Sequence, residues 1–183
     1  MLMEQLFSSG IMQMGPSRVD PARQVGVFNP AAIAGLPAAR SAGMERILWM
    51  VGEWDYENSV PPTRYSPAYS DIGSMRLSWN EKTNWICLLA PDGQETPHLT
   101  FDPFSKRWIY LLIKGSYGIL RASEWEGNRL AFTGLITMIG IDTEWRLTLV
   151  KDSPDRYLLV NEERAEDGSW AYIDEWRFTR KIP

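Results

Sequence analysis

From residue 52 onward, turn signals punctuate the chain at intervals of roughly 11 to 14 residues, and this spacing constrains the fold more than any other feature. They read Asn80-Glu81-Lys82, Pro91-Asp92-Gly93, Asp102-Pro103-Phe104-Ser105, Gly115-Ser116, Glu126-Gly127-Asn128, Ile139-Gly140, Asp152-Ser153-Pro154-Asp155 and Glu166-Asp167-Gly168. The runs between them are short and rich in β-branched and aromatic residues, as strands are. No helical period interrupts them, so βαβ crossovers are absent and the sheet is expected to be antiparallel. About nine or ten strands fit between Gly52 and Arg180, too many for a small open sheet. Closing the sheet into an up-and-down β-barrel removes both edges. The expected fold is therefore all-β, a closed antiparallel barrel with an irregular N-terminal arm and one short helix.

The preceding sequence has a different character. Residues 1–43 are expected to form an irregular, partly helical arm, and residues 44–183 the barrel domain. Met1, Met3, Met12 and Met14 cluster with Leu6, Phe7 and Ile11, but Ser8-Ser9-Gly10 breaks any helical pattern early. Pro16, Pro21, Pro30 and Pro37 then recur at a spacing that forbids a long helix or an interior strand. Ser41 can cap a short helix over residues 44–51, with Ile47, Met50 and Val51 on one face.

Charge and composition narrow the function classes. A net charge of −4 and a pI near 5.1 argue against a nucleic-acid partner, which selects a basic stripe. No stretch approaches the ~18 consecutive apolar residues of a spanning helix, so no membrane insertion is expected. The single cysteine, Cys87, forms no internal disulfide and lies in an apolar run, where it reads as a small buried hydrophobe. One histidine, His98, leaves no metal site to build, and no cofactor is expected. The N-terminus lacks a basic region and a cleavage site, so a reducing cytoplasmic setting is expected. Glycine-rich phosphate loops and nucleophile elbows are absent.

The candidate site comes from the aromatic residues. Nine Trp, seven Tyr and six Phe are many for 183 residues, and most of the Trp fall on or beside the strands. In a barrel of about ten strands the lumen has room for a small ligand. Trp79, Trp85, Trp108, Tyr110 and Trp145 are candidates to line it, gripping a planar or apolar molecule by burial and stacking. His98 joins them as the one side chain whose ordinary pKa lies near neutrality. Glu144 and Arg146, Glu162 and Arg164, and Glu175 and Arg177 alternate with apolar residues, and they either line the lumen or meet solvent. Arg146 is taken as the cavity candidate among them, able to meet a ligand carboxylate.

Gly52-Glu53-Trp54, at the start of the first strand after a short helical turn, resembles the G-x-W signature of the lipocalins and calycins. That resemblance implies a Trp at the closed end of the barrel and a late Arg packed across it. Arg177, or Arg180 three residues on, stands at the matching position, so Gly52, Trp54 and Arg177 are expected to close the barrel. An indole plugs the narrow end, while a guanidinium stacks on its face and bonds nearby carbonyls. The wider order of motifs is Leu48-Trp49-Met50-Val51-Gly52-Glu53-Trp54, Leu99-Thr100-Phe101-Asp102-Pro103 with Arg107-Trp108, Asp167-Gly168-Ser169-Trp170, and Phe178-Thr179-Arg180. It resembles a bacterial lipocalin-like family known as domain of unknown function 1579, over residues 44 to 181. Nitrobindin-like barrels, a related branch, ligate haem through a histidine near the barrel's end, and no histidine follows His98 here.

The sequence thus points to a small apolar or aromatic ligand held in the barrel. A cofactor-independent cyclase, isomerase or hydratase would use the same cavity, with His98 or a glutamate as acid-base group. A filled barrel serving as an interaction scaffold, with the Met-rich arm as contact and a homodimer as one outcome, belongs to a third class.

Overall fold

The computed structural model describes residues 42–62, 67–113 and 116–181; the expected arm and the Ser41 cap lie outside them. Ten strands follow in chain order: β1 (Gly52–Val60), β2 (Tyr69–Asn80), β3 (Trp85–Leu89), β4 (Glu95–Asp102), β5 (Arg107–Leu112), β6 (Ser116–Ala122), β7 (Arg129–Met138), β8 (Ile141–Ser153), β9 (Arg156–Arg164) and β10 (Trp170–Arg180). Each pairs antiparallel with its sequence neighbour, and β1 pairs with β10, which closes the barrel. The expected all-β, closed up-and-down barrel is the observed fold. No helix among the described residues is long and apolar enough to cross a membrane.

The turn chemistry explains the hairpins. Ile139 and Gly140 both take positive φ, 54° and 77°, in the two-residue loop that joins Met138 to its partner Ile141. Such a loop matches the right-handed twist of the strands it connects, although one of its residues is a β-branched isoleucine. Gly93, Gly127 and Gly168 supply positive φ in three further turns.

Alternation then sets the two faces. Leu130 and Phe132 on β7, Leu147 and Leu149 on β8, and Tyr157 and Leu159 on β9 are buried and in register on the inner face. Ala131, Thr148 and Leu158, which alternate with them, take the outer parity. Gly134 shows how closely β6 and β7 approach: a Cβ there would lie 2.5 Å from the Ile119 carbonyl oxygen, a backbone atom that cannot swing away.

One end of the barrel is shut by the chain that leads into β1. The short helix expected over residues 44–51 is observed as helical residues 42–44, a turn over 45–47 and one 3₁₀ turn at Leu48–Met50, with Met44, Ile47 and Met50 buried. Trp54 is fully buried beneath it and donates its indole N–H to the Met50 carbonyl at 2.8 Å. The Arg180 guanidinium lies 4.2 Å from the Trp54 ring centroid. It donates to the Val51 carbonyl at 3.0 Å and to the Trp49 carbonyl, and it pairs with Asp155 at 3.2 Å. Gly52 is needed for this arrangement, since a Cβ there would sit 2.5 Å from the Arg180 Nη1 atom.

Arg180 therefore closes the barrel, and Arg177 does not. Arg177 pairs in register with Glu57 on the outer face and bonds Glu175 at 2.6 Å. The difference is one of pleat: residues 180, 178 and 176 share the inward parity with Trp54, Tyr56 and Asn58, while 177 falls on the other.

Replacing Arg180 by Ala strands several carbonyls and removes the stack, so we expect a loss of about 2–4 kcal/mol in stability. Arg177→Ala, at a mostly exposed ion pair, is expected to cost less than about 1 kcal/mol. Urea unfolding of the two variants checks the order; equal losses would contradict it.

Candidate functional site

The site is the inner wall above the Trp54 plug. Its floor is aromatic. Tyr157 stacks on Phe178 with centroids 4.2 Å apart and meets Trp54 edge-on at 4.8 Å. Tyr56 packs on Trp176 at 5.1 Å, and Tyr110 meets Phe132 at 5.5 Å. These contacts follow from inward parity on β1, β5, β7, β9 and β10.

A bulge brings His98 into this wall. Ile86 pairs with Leu99 and Cys87 with Pro97, so His98 is the extra residue of β4. An extra residue re-aims a side chain that strict alternation would send elsewhere. The His98 ring packs 4.3 Å from Tyr110. Desolvation pushes its pKa down to about 4, so the imidazole is neutral at pH 7. Burial likewise raises the Tyr110 and Tyr157 hydroxyls above their ordinary value of 10, so both carry their protons at neutral pH.

A second bulge, at Ile173, shapes the upper wall. Tyr172 pairs with Glu162 and Asp174 with Asn161, which turns Asp174 inward. Trp145 donates to Asn161 Oδ1 at 2.9 Å, and Asn161 donates to Asp174 Oδ1 at 2.7 Å. Burial raises the Asp174 carboxyl pKa, and the hydrogen bonds from Asn161 and Trp176 partly offset that rise.

Among the described residues, four buried side-chain atoms find no hydrogen-bond partner: Asn58 Oδ1, Trp79 Nε1, Trp125 Nε1 and Tyr157 Oη. Asn58, Trp79 and Tyr157 lie on the inward parity of β1, β2 and β9. A buried polar group left unsatisfied costs about 1–3 kcal/mol.

The sequence candidates thus divide. Trp79, His98, Trp108, Tyr110 and Trp145 share the inner wall, with Trp108 packed tightly on Phe101 at 5.1 Å. Trp85 lies on the outer parity of β3, opposite Asn80, because Ile86 takes the inward position. Arg146 also lies outside, held to Glu162 by two bonds of 2.5 and 2.6 Å and stacked 4.7 Å from the Trp170 centroid. A strict period of two assigns Arg146 to the face opposite Trp145 and Leu147. Cys87 is buried, and desolvation raises its thiol pKa, which disfavours the reactive thiolate. Asn58, Tyr157, Asn161 and Asp174 were not singled out from sequence. The signal available for Tyr157 and Asn161 was their shared parity with Leu159 in Tyr157-Leu158-Leu159-Val160-Asn161; for Asp174, only the bulge makes the parity correct.

Open clefts occur on the outer wall. One of about 960 Å³ lies along β1, β9 and β10 beside Asp55, Arg156 and Arg177. Another, of about 710 Å³, is bordered by Glu124, Arg129, Arg146 and Glu162. Among the described residues, no group of three His, Cys, Asp or Glu side chains is placed to hold a metal ion.

The sequence matches no protein-family profile. It has no significant match among curated proteins. Solved structures with a similar arrangement include Rv2717c from M. tuberculosis, 9% identical, with a TM-score of 0.47 over 76% of this chain and 97% of that one. The redesigned β-barrel b11L5F_LGL is 11% identical, with a TM-score of 0.33 over 73% of this chain and 93% of its own. The redesigned barrel mFAP1, bound to DFHBI, is 11% identical, with a TM-score of 0.32 over 72% and 95%.

The unfolded chain takes up a proton on His98 near pH 6.5, while the folded imidazole resists until about 4. The stability that His98 withholds is therefore lost as pH falls through that window, by up to about 3 kcal/mol. Urea unfolding from pH 7 to 4 should show this slope, and His98→Leu should flatten it. An unchanged slope in the variant would locate the titration elsewhere.

Proposed function

We propose that this barrel binds a small, largely apolar or aromatic molecule in its lumen. One observation carries the reading: an inner wall of stacked aromatic rings holds polar atoms of Asn58, Trp79 and Tyr157 that are buried and unpartnered. A protein stabilised for packing alone would gain by replacing such groups with apolar ones of the same shape. A site that must hold a ligand keeps them, because the ligand satisfies them when it enters. The neutral, half-buried His98 beside Tyr110 adds an uncharged donor and acceptor to the same wall. Membership of the lipocalin-like family of unknown function that the motifs resemble is part of this proposal, as is the ligand role of Trp79, His98, Tyr110 and Trp145.

Native mass spectrometry of freshly purified protein, beside a denatured sample, should reveal an added mass that denaturation removes. Titration with N-phenyl-1-naphthylamine should raise probe emission, and a displaced native ligand should compete. Tyr157→Phe deletes an orphaned hydroxyl, so the empty protein should keep its stability or gain about 1 kcal/mol while ligand retention weakens. A barrel that admits neither ligand nor probe, and that Tyr157→Phe destabilises, would refute the proposal.

A further inference from the structure

The upper half of the inner wall carries negative charge that no cation among the described residues pairs. Asp71 on β2 is opposite Asn58, and Glu163 on β9 is opposite Trp145; both lie on the inward parity with Asp174. The inward positions of the described strands at this level are otherwise neutral, Val60, Leu88, Thr96, Leu112, Met138 and Thr143 among them. Among the described residues the inward-parity cations, Lys151 and Arg180, are at the closed end, where they stack on Trp49 and Trp54. Three arginines of the outer face are already paired: Arg146 with Glu162, Arg164 with Glu144, Arg177 with Glu175.

A second, independent feature lies in the same place. Asn58 is only 5% exposed, and its Oδ1, an acceptor, has no donor. Its register partners are Asp71 on one side and Trp176 on the other, and Asp174 is diagonal to it, two residues before Trp176. On one face of a sheet such diagonal neighbours are roughly 7–8 Å apart. Acceptors therefore converge, while the nearby donors, the Asn161 amide and the Trp145 indole, are already engaged. Below them are the faces of Trp176 and Tyr56.

We propose that the lumen selects an organic cation, an amine borne on an aromatic or alkyl body, with its ammonium between Asp174 and Asn58 and its body against Trp176 and Tyr56. The inference rests on the lumen reading given above and names the ligand class for that site. An ammonium has donors only, and the wall offers acceptors. A neighbouring indole face adds cation–π attraction that strengthens as water is excluded. No trio of these groups is placed to hold a metal ion among the described residues, so the distributed charge suits a larger cation.

The test is calorimetric titration with three probes of one shape: 2-phenylethylamine, 2-phenylethanol and phenylacetate. The amine should bind at least tenfold more tightly than the carboxylate, with the alcohol between them. Asp174→Asn should erase that ranking while the thermal midpoint and alcohol binding hold. Asp71→Asn, nearer the rim, should reduce it by a smaller factor. Equal binding of all three would overturn the cation inference and leave the lumen reading standing. Discrimination that survives both substitutions would overturn it as well. No binding by any probe would overturn both readings.

Discussion

The stack of Arg180 on Trp54 is the interaction on which the rest of the barrel depends. It lies where the first strand begins and the last one ends, so it joins the two edges that must meet. Its hydrogen bonds to Trp49 and Val51 tie the lead-in chain across that end. Because Trp54 and Arg180 are register partners, the stack also fixes the β1–β10 register. A slip of one residue would send Tyr56, Asn58 and Trp176 to the outside. The inner wall thus inherits its composition from one contact at the closed end.

The inner wall is unusual in what it leaves undone. Its lower part is a packed aromatic floor, its upper part holds carboxylates that no described cation pairs, and the orphaned polar atoms are distributed between them. Two β-bulges, one at His98 and one at Ile173, tune this wall by adding a residue where alternation would have excluded a polar side chain. Both serve the same end by the same means: the strand keeps its pairing and changes which side chain it presents. Polar groups placed this way cost stability that apolar side chains of the same shape would not.

Much of the fold was legible because turns are local. Pro91-Asp92-Gly93 or Ile139-Gly140 needs no distant partner to declare itself, and about nine or ten strands follow from their spacing. The closed end was legible as far as Gly52 and Trp54. The choice of Arg180 over Arg177 was not, since it depends on which parity β10 turns inward. The same physics hid the site. Trp85 and Arg146 are the residue types a lumen would use, yet both fall on the outer parity. Asp174 falls on the inner one only through the bulge at Ile173. Parity is a property of the paired sheet, and a single strand read alone carries no label for inside.

The topology also has a kinetic consequence. Nine of the ten strand pairings join sequence neighbours, and the β1–β10 seam alone is non-local. Its partners are between 116 and 126 positions apart, from Ser59 with Glu175 to Trp54 with Arg180. Closing so long a span costs roughly 2 kcal/mol more chain entropy than closing a hairpin of about ten residues. The meander therefore assembles first as a ribbon with two raw edges, and the seam zips last. Until it does, the backbone groups of β1 and β10 are open to any passing strand, including those of another copy. Arg180 and Trp54 are register partners in that seam, so their stack forms only when the two edges meet.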